Sequence, residues 1–126
     1  MTKSTPPRAP SGLGPRGGKF WRATVGDFDL TDAELELLAE ACRTLDNLDN
    51  LAAMVAEHGA AVAGSQGQVI VNPAIGEARA QRLALHRLLA ALQLPDDDAE
   101  PVPTSTTLRA RTAARARWSG HARREA

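Results

Sequence analysis

The sequence predicts a mainly α-helical chain: a short N-terminal helix, two long antiparallel helices joined by a small β-hairpin, and disordered basic tails. Three observations carry that expectation. Residues 59–73, Gly-Ala-Ala-Val-Ala-Gly-Ser-Gln-Gly-Gln-Val-Ile-Val-Asn-Pro, read as a helix stop, a hairpin and a helix start in immediate succession. Apolar residues recur at helical spacing on both sides of that segment. The two ends of the chain are rich in arginine and poor in large apolar residues.

Residues 1–18 hold four prolines and four glycines and are expected to form a flexible basic leader. The helical core follows over 19–95, with the hairpin at about 60–71. Lys19 to Val25 suits a short helix ended by Gly26 and Asp27. Thr31 and Glu34 then form a capping box, with Leu30 placed as a hydrophobic staple. The helix they open carries apolar residues at Leu35, Leu38, Cys42, Leu45, Ala52 and Val55. A second set at Leu37, Ala41, Leu48 and Leu51 lies on an adjoining face; Leu37, Leu48 and Leu51 are candidates for contact with another copy, and a broad contact within the chain is the equal alternative. The poor helix formers within residues 45–51 make a bend there plausible.

Gly59 has the conformational freedom to end this helix with a positive φ. Gly64-Ser65-Gln66-Gly67 is turn material between two short apolar runs, and both glycines are expected to be needed for their backbone angles. Asn72 can cap the next helix, and Pro73 suits its first position, where the missing N–H is not needed. That helix runs from Ala74 to Leu92 and places Arg79, Arg82 and His86 close together; Leu94-Pro95 stops it. Residues 96–126 read as an acidic linker followed by an arginine-rich tail.

The formal charge of zero over 126 residues hides a segregation. The cations Lys3, Arg8, Arg16, Lys19 and Arg22 have no carboxylate among them. Residues 24–60 hold nine carboxylates against Arg43 alone. Arg109, Arg111, Arg115, Arg117, Arg123 and Arg124 restore the balance near the C-terminus. Basic ends suit phosphate, so these eleven cations are the first candidates for a nucleic-acid grip. Arg79, Arg82 and Arg87 are the second set, given less weight because the acidic helix offers them partners.

No enzyme is expected. His58, His86 and His121 lie far apart, with no Cys, His or carboxylate at ligand spacing, so neither a metal nor a cofactor is implied. Cys42 falls on an apolar helix face, as a buried structural thiol does. The glycine-rich leader lacks the Gly-Lys-Ser/Thr of a phosphate loop. A lone cysteine and the lack of an apolar run near membrane-spanning length suit a soluble intracellular protein, neither secreted nor bound to a membrane.

From about Gly14 to Pro95 the chain resembles the small subunits of tailed-phage terminases, in the group with a helix–hairpin–helix core. The resemblance rests on Phe20-Trp21 after a glycine-rich leader, and on Leu30-Thr31-x-x-Glu34-x-x-x-Leu38 with Ala41-Cys42. Its most specific part is Gly59-x-x-Val62-x-Gly64-x-x-Gly67-x-x-x-Val71-Asn72-Pro73-Ala74. Glu77-x-Arg79 and Leu88-Leu89-x-x-Leu92-x-Leu94-x-Pro95 complete it, with Gln93 departing from the glycine common in the family. The resemblance implies a non-enzymatic, ring-forming homo-oligomer in the cytoplasm of a bacterial host. Such a subunit binds double-stranded viral DNA near the packaging start site and presents it to the large terminase subunit. The tails lie outside the matched region. A small phage-encoded transcription regulator, and a structural adaptor whose basic tails bind an acidic protein, remain the alternatives.

Overall fold

A computed structural model describes residues 5–94; the linker and tail expected at 96–126 lie outside the described residues. The elements run α1 (Pro15–Asp27), α2 (Asp32–His58), β1 (Ala61–Ala63), β2 (Val69–Val71) and α3 (Pro73–Leu92). The main core joins Trp21 and Val25 of α1, Leu38, Ala39 and Cys42 of α2, and Leu92 of α3.

The capping box opens α2. Thr31 Oγ1 accepts from the Glu34 N–H at 3.2 Å, and Glu34 Oε1 accepts from the Thr31 N–H at 2.8 Å. Leu30 and Leu35, the staple pair, both pack against the core. The helix then runs unbroken for 27 residues, through the stretch 45–51. It ends at Gly59, whose φ of 87° and ψ of 169° lie in a region essentially restricted to glycine. This is an extended backbone rather than a left-handed turn, and it feeds straight into β1.

The hairpin pairs Ala61 with Val71, Val62 with Ile70 and Ala63 with Val69, antiparallel. Gly67 takes a φ of 79°, as the turn requires. Gly64 does not share that need: its φ is ordinary, and its constraint is space, since a Cβ there would sit 2.8 Å from the Gln68 side chain. Asn72 then ties the two long helices together. Its Oδ1 accepts from the Ala74 N–H at 3.0 Å, capping α3, while its Nδ2 donates to the Gly59 carbonyl at 2.9 Å. With its start held at the end of α2, α3 runs back so that Leu89, Leu92 and Leu94 join the same core as Leu35, Leu37 and Leu38. The two long helices are therefore antiparallel. Gln93 closes α3 in the left-handed region, at φ 53° and ψ 39°.

Two expectations fail, for one physical reason. The described part of the leader, residues 5–18, is docked: α1 begins at Pro15, four residues earlier than the short helix expected from Lys19, and Ala9 and Leu13 pack against the core. The indole N–H of Trp21, a residue only 4% exposed, donates to the Pro7 carbonyl at 3.0 Å. Gly17 and Gly18 are buried where α1 approaches α2. The second failure follows. A leader and helix packed on α2, together with α3, occupy its wide apolar stripe, so Leu48 is buried at 8% exposure and Leu37 and Leu51 are half-buried. That set is not the free face expected for a neighbouring copy.

Candidate nucleic-acid interface

The buried side of α3 carries Ala74, Ala78 and Leu92, with Gln81, Leu85, Leu88 and Leu89 half-buried around them. Advancing about 100° per residue, Arg79, Leu83, His86 and Arg87 fall on the far side and Arg82 on the flank, all exposed. None of the three arginines makes a hydrogen bond or ion pair among the described residues. The partners that the acidic helix offers are therefore not taken up among the described residues. The single carboxylate of α3, Glu77, instead accepts from Gln81 Nε2 at 2.9 Å. Three guanidinium groups with no carboxylate partner among the described residues thus lie along roughly 12 Å of helix axis. Each is able to bind a phosphate through two parallel N–H donors.

The first set of candidates divides. Arg8, Lys19 and Arg22 are exposed and free of ion pairs among the described residues. Arg16 is committed: its Nη1 donates to Asp49 Oδ1 at 3.0 Å. Lys3, Arg109, Arg111, Arg115, Arg117, Arg123 and Arg124 lie outside the described residues.

The acidic part of α2 has a structural use that sequence reasoning missed. Gly14 has no side chain with which to cap α1, and Asp46 of α2 takes the role. Its Oδ2 accepts from the Gly14 N–H at 2.6 Å and its Oδ1 from the Gly17 N–H at 2.8 Å. A carboxylate there satisfies two donors and meets the positive end of the helix dipole. Asp46 and Asp49, one turn apart, thereby anchor both the backbone and Arg16 of α1. The sequence signal was present: a Gly-Pro helix start with no cap of its own, and two aspartates where helix propensity gains nothing from them.

An open cleft of about 370 Å³ lies at this junction, between the leader and α2. Its charged groups are already spent, Asp46 on α1, Asp49 on Arg16, and Arg43 on Glu40 at 2.8 Å. Cys42 beneath it is fully buried, and burial, followed by the nearby Asp46 carboxylate, pushes its thiol up to about 11. A thiol so raised is a packing group rather than a nucleophile. Among the described residues no group of three His, Cys, Asp or Glu side chains could hold a metal ion. Nor is any described helix long and apolar enough to cross a membrane. No protein-family model matches the chain, and no significant match is found among curated proteins or solved structures.

Proposed function

We propose that this chain is the small terminase subunit of a tailed phage or prophage, a non-catalytic protein of the host cytoplasm. It binds double-stranded viral DNA at the packaging initiation site and delivers it to the large ATPase-nuclease subunit. The observation that carries the reading is the face of α3, where Arg79, Arg82 and Arg87 are exposed and unpaired, whereas Arg16 and Arg43 have found carboxylates. The resemblance through the hairpin motif supports it, since the hairpin is what sets α3 against α2 with this face outward. Each copy in a ring contributes its own arginines, so a modest grip per chain becomes strong when many engage one duplex. Lys19, Arg22 and the cations of the two ends add phosphate contacts.

Two measurements test the proposal together. Fluorescence anisotropy should show binding to a duplex carrying the packaging start, with affinity falling steeply as salt rises. Adding the same protein to its large subunit should alter ATP hydrolysis on that DNA. Binding without any effect on the large subunit would favour the transcription-regulator reading; no binding at low salt defeats both.

A further inference from the structure

We infer that β2 is a self-pairing edge through which two copies of this chain join about a two-fold axis. The hairpin is the least covered part of the described fold: Val69 is 80% and Val71 70% exposed, and Ala61 and Ala63 beside them are exposed too. A two-stranded hairpin alone is marginal in water and gains from further strands or from packing.

The hydrogen-bond pattern shows which edge is open. The Asn72 N–H donates to the Ala60 carbonyl and the Gly64 N–H to the Gln68 carbonyl, so these residues face one another across the ladder. Antiparallel pairing alternates, which makes Val62 and Ile70 the inward-bonded pair between them. Val69 and Val71 must then direct their backbone N–H and C=O groups outward, away from β1. A second β2 centred on Ile70 meets this edge in register, Val69 opposite Val71 of the other copy, with four backbone hydrogen bonds. The result is a four-stranded sheet in the order β1, β2, β2 of the copy, β1 of the copy.

Charge and propensity select this occupant. From Gly59 to Gly76 there is no ionisable side chain, whereas strongly charged segments lie on either side. An isologous contact sets every residue against its own kind, and only a neutral segment does so without repulsion. Neither a basic nor an acidic partner finds a counter-charge here. Val-Ile-Val is a strong strand former and Ala-Val-Ala a weak one, which places the contact on β2 rather than β1. No Lys, Pro or bulge blocks the edge within β2. The pairing rests on geometry independent of DNA binding: a two-fold contact closes on itself, so it joins copies in pairs and is separate from the contact that would close a ring.

The test is a disulfide across the two-fold. Ile70 and its copy would form a non-hydrogen-bonded pair, whose Cβ atoms approach to roughly 4.5–5.5 Å. Full-length Ile70→Cys, with Cys42→Ala to remove the only native thiol, should oxidise to a covalent dimer at about twice 13.3 kDa under denaturing, non-reducing electrophoresis. The uncrosslinked chain with Val69→Thr and Val71→Thr keeps strand-forming residues; light scattering should show it shifted toward single chains at concentrations where the wild type is paired. Circular dichroism verifies the fold of each variant. An Ile70→Cys chain that stays at single-chain mass after oxidation, under conditions where the wild type associates, would mean that the copies meet elsewhere and would overturn the two-fold. A wild type that stays at 13.3 kDa at every concentration, or threonine variants that associate as the wild type does, also overturns it. DNA binding is read separately by anisotropy, so a failure of pairing is not a failure of the proposed function.

Discussion

The α1–α2 junction and the hairpin–α3 end treat the same residue types in opposite ways. At the junction the charges have uses: Asp46 caps α1, Asp49 holds Arg16, and Glu40 holds Arg43. In the hairpin and α3, among the described residues, Arg79, Arg82 and Arg87 are unpaired and Val69 and Val71 uncovered. The difference separates a region whose charges are used within the fold from one whose cations and valines are not, and the proposals above assign binding and assembly to the second. Substitutions should therefore cost stability at the junction and binding or assembly at the far end.

The largest stability effect is expected at Gly17. A Cβ there would lie 2.5 Å from the Cys42 carbonyl oxygen and would also collide with the Asp46 carboxylate. The carbonyl belongs to the backbone of α2 and cannot swing aside. Gly17→Ala should cost about 2–3 kcal/mol, a fall of roughly 10 °C or more in Tm for a domain of this size. A melting curve that matches wild type would show that α1 does not seat on α2 as described.

Asp46→Ala comes next, at about 2 kcal/mol, for two part-buried hydrogen bonds to a charged acceptor and the loss of a helix cap. Asp46→Asn keeps one acceptor and should lose about half of that. Urea unfolding separates the three proteins, and equal midpoints would remove Asp46 from its capping role.

The smallest effects run the other way, at the two ends of α3. Gly76 lies inside α3 with open space where a Cβ would go, so Gly76→Ala should stabilise by about 0.5–1 kcal/mol. The same change is thus harmful in α1 and helpful in α3. Gln93 holds a left-handed conformation that glycine accepts freely, so Gln93→Gly should stabilise by a similar amount. Paired thermal melts measure both, and a loss of stability in either would contradict the account of that position.

These positions also show why some of the fold was legible and some was not. The Thr31–Glu34 box, the Asn72-Pro73 start and the hairpin were readable because their chemistry is local: donor and acceptor lie within a few residues. The docked leader was not, because its partners are distant. Pro7 answers Trp21 across 14 residues, and Gly14 answers Asp46 across 32. Composition alone describes Pro, Gly and Arg as mobile, and no periodicity records a carbonyl waiting for an indole. The apolar stripe of α2 was correctly seen as too wide for one partner helix. Its second partner was α1 of the same chain, which spacing cannot distinguish from another copy. For the candidate site, the Arg79–Arg87 cluster was visible, but its freedom from the acidic helix depended on which way α3 faces.

That freedom is the central claim, and one measurement addresses it most directly. The slope of binding affinity against salt concentration, taken by fluorescence anisotropy on duplex DNA, should be compared for wild type, for Arg16→Gln, and for the triple variant Arg79→Gln, Arg82→Gln, Arg87→Gln. Removing one guanidinium–phosphate pair should reduce the log–log slope by about one. The triple variant should bind at least about tenfold more weakly at low salt, with a slope flatter by up to about three and an unchanged Tm. Arg16→Gln should keep the wild-type slope, since its guanidinium already serves Asp49. A triple variant that binds as the wild type does, or an Arg16→Gln variant that flattens the slope as much, would contradict the division between a structural half and a binding half.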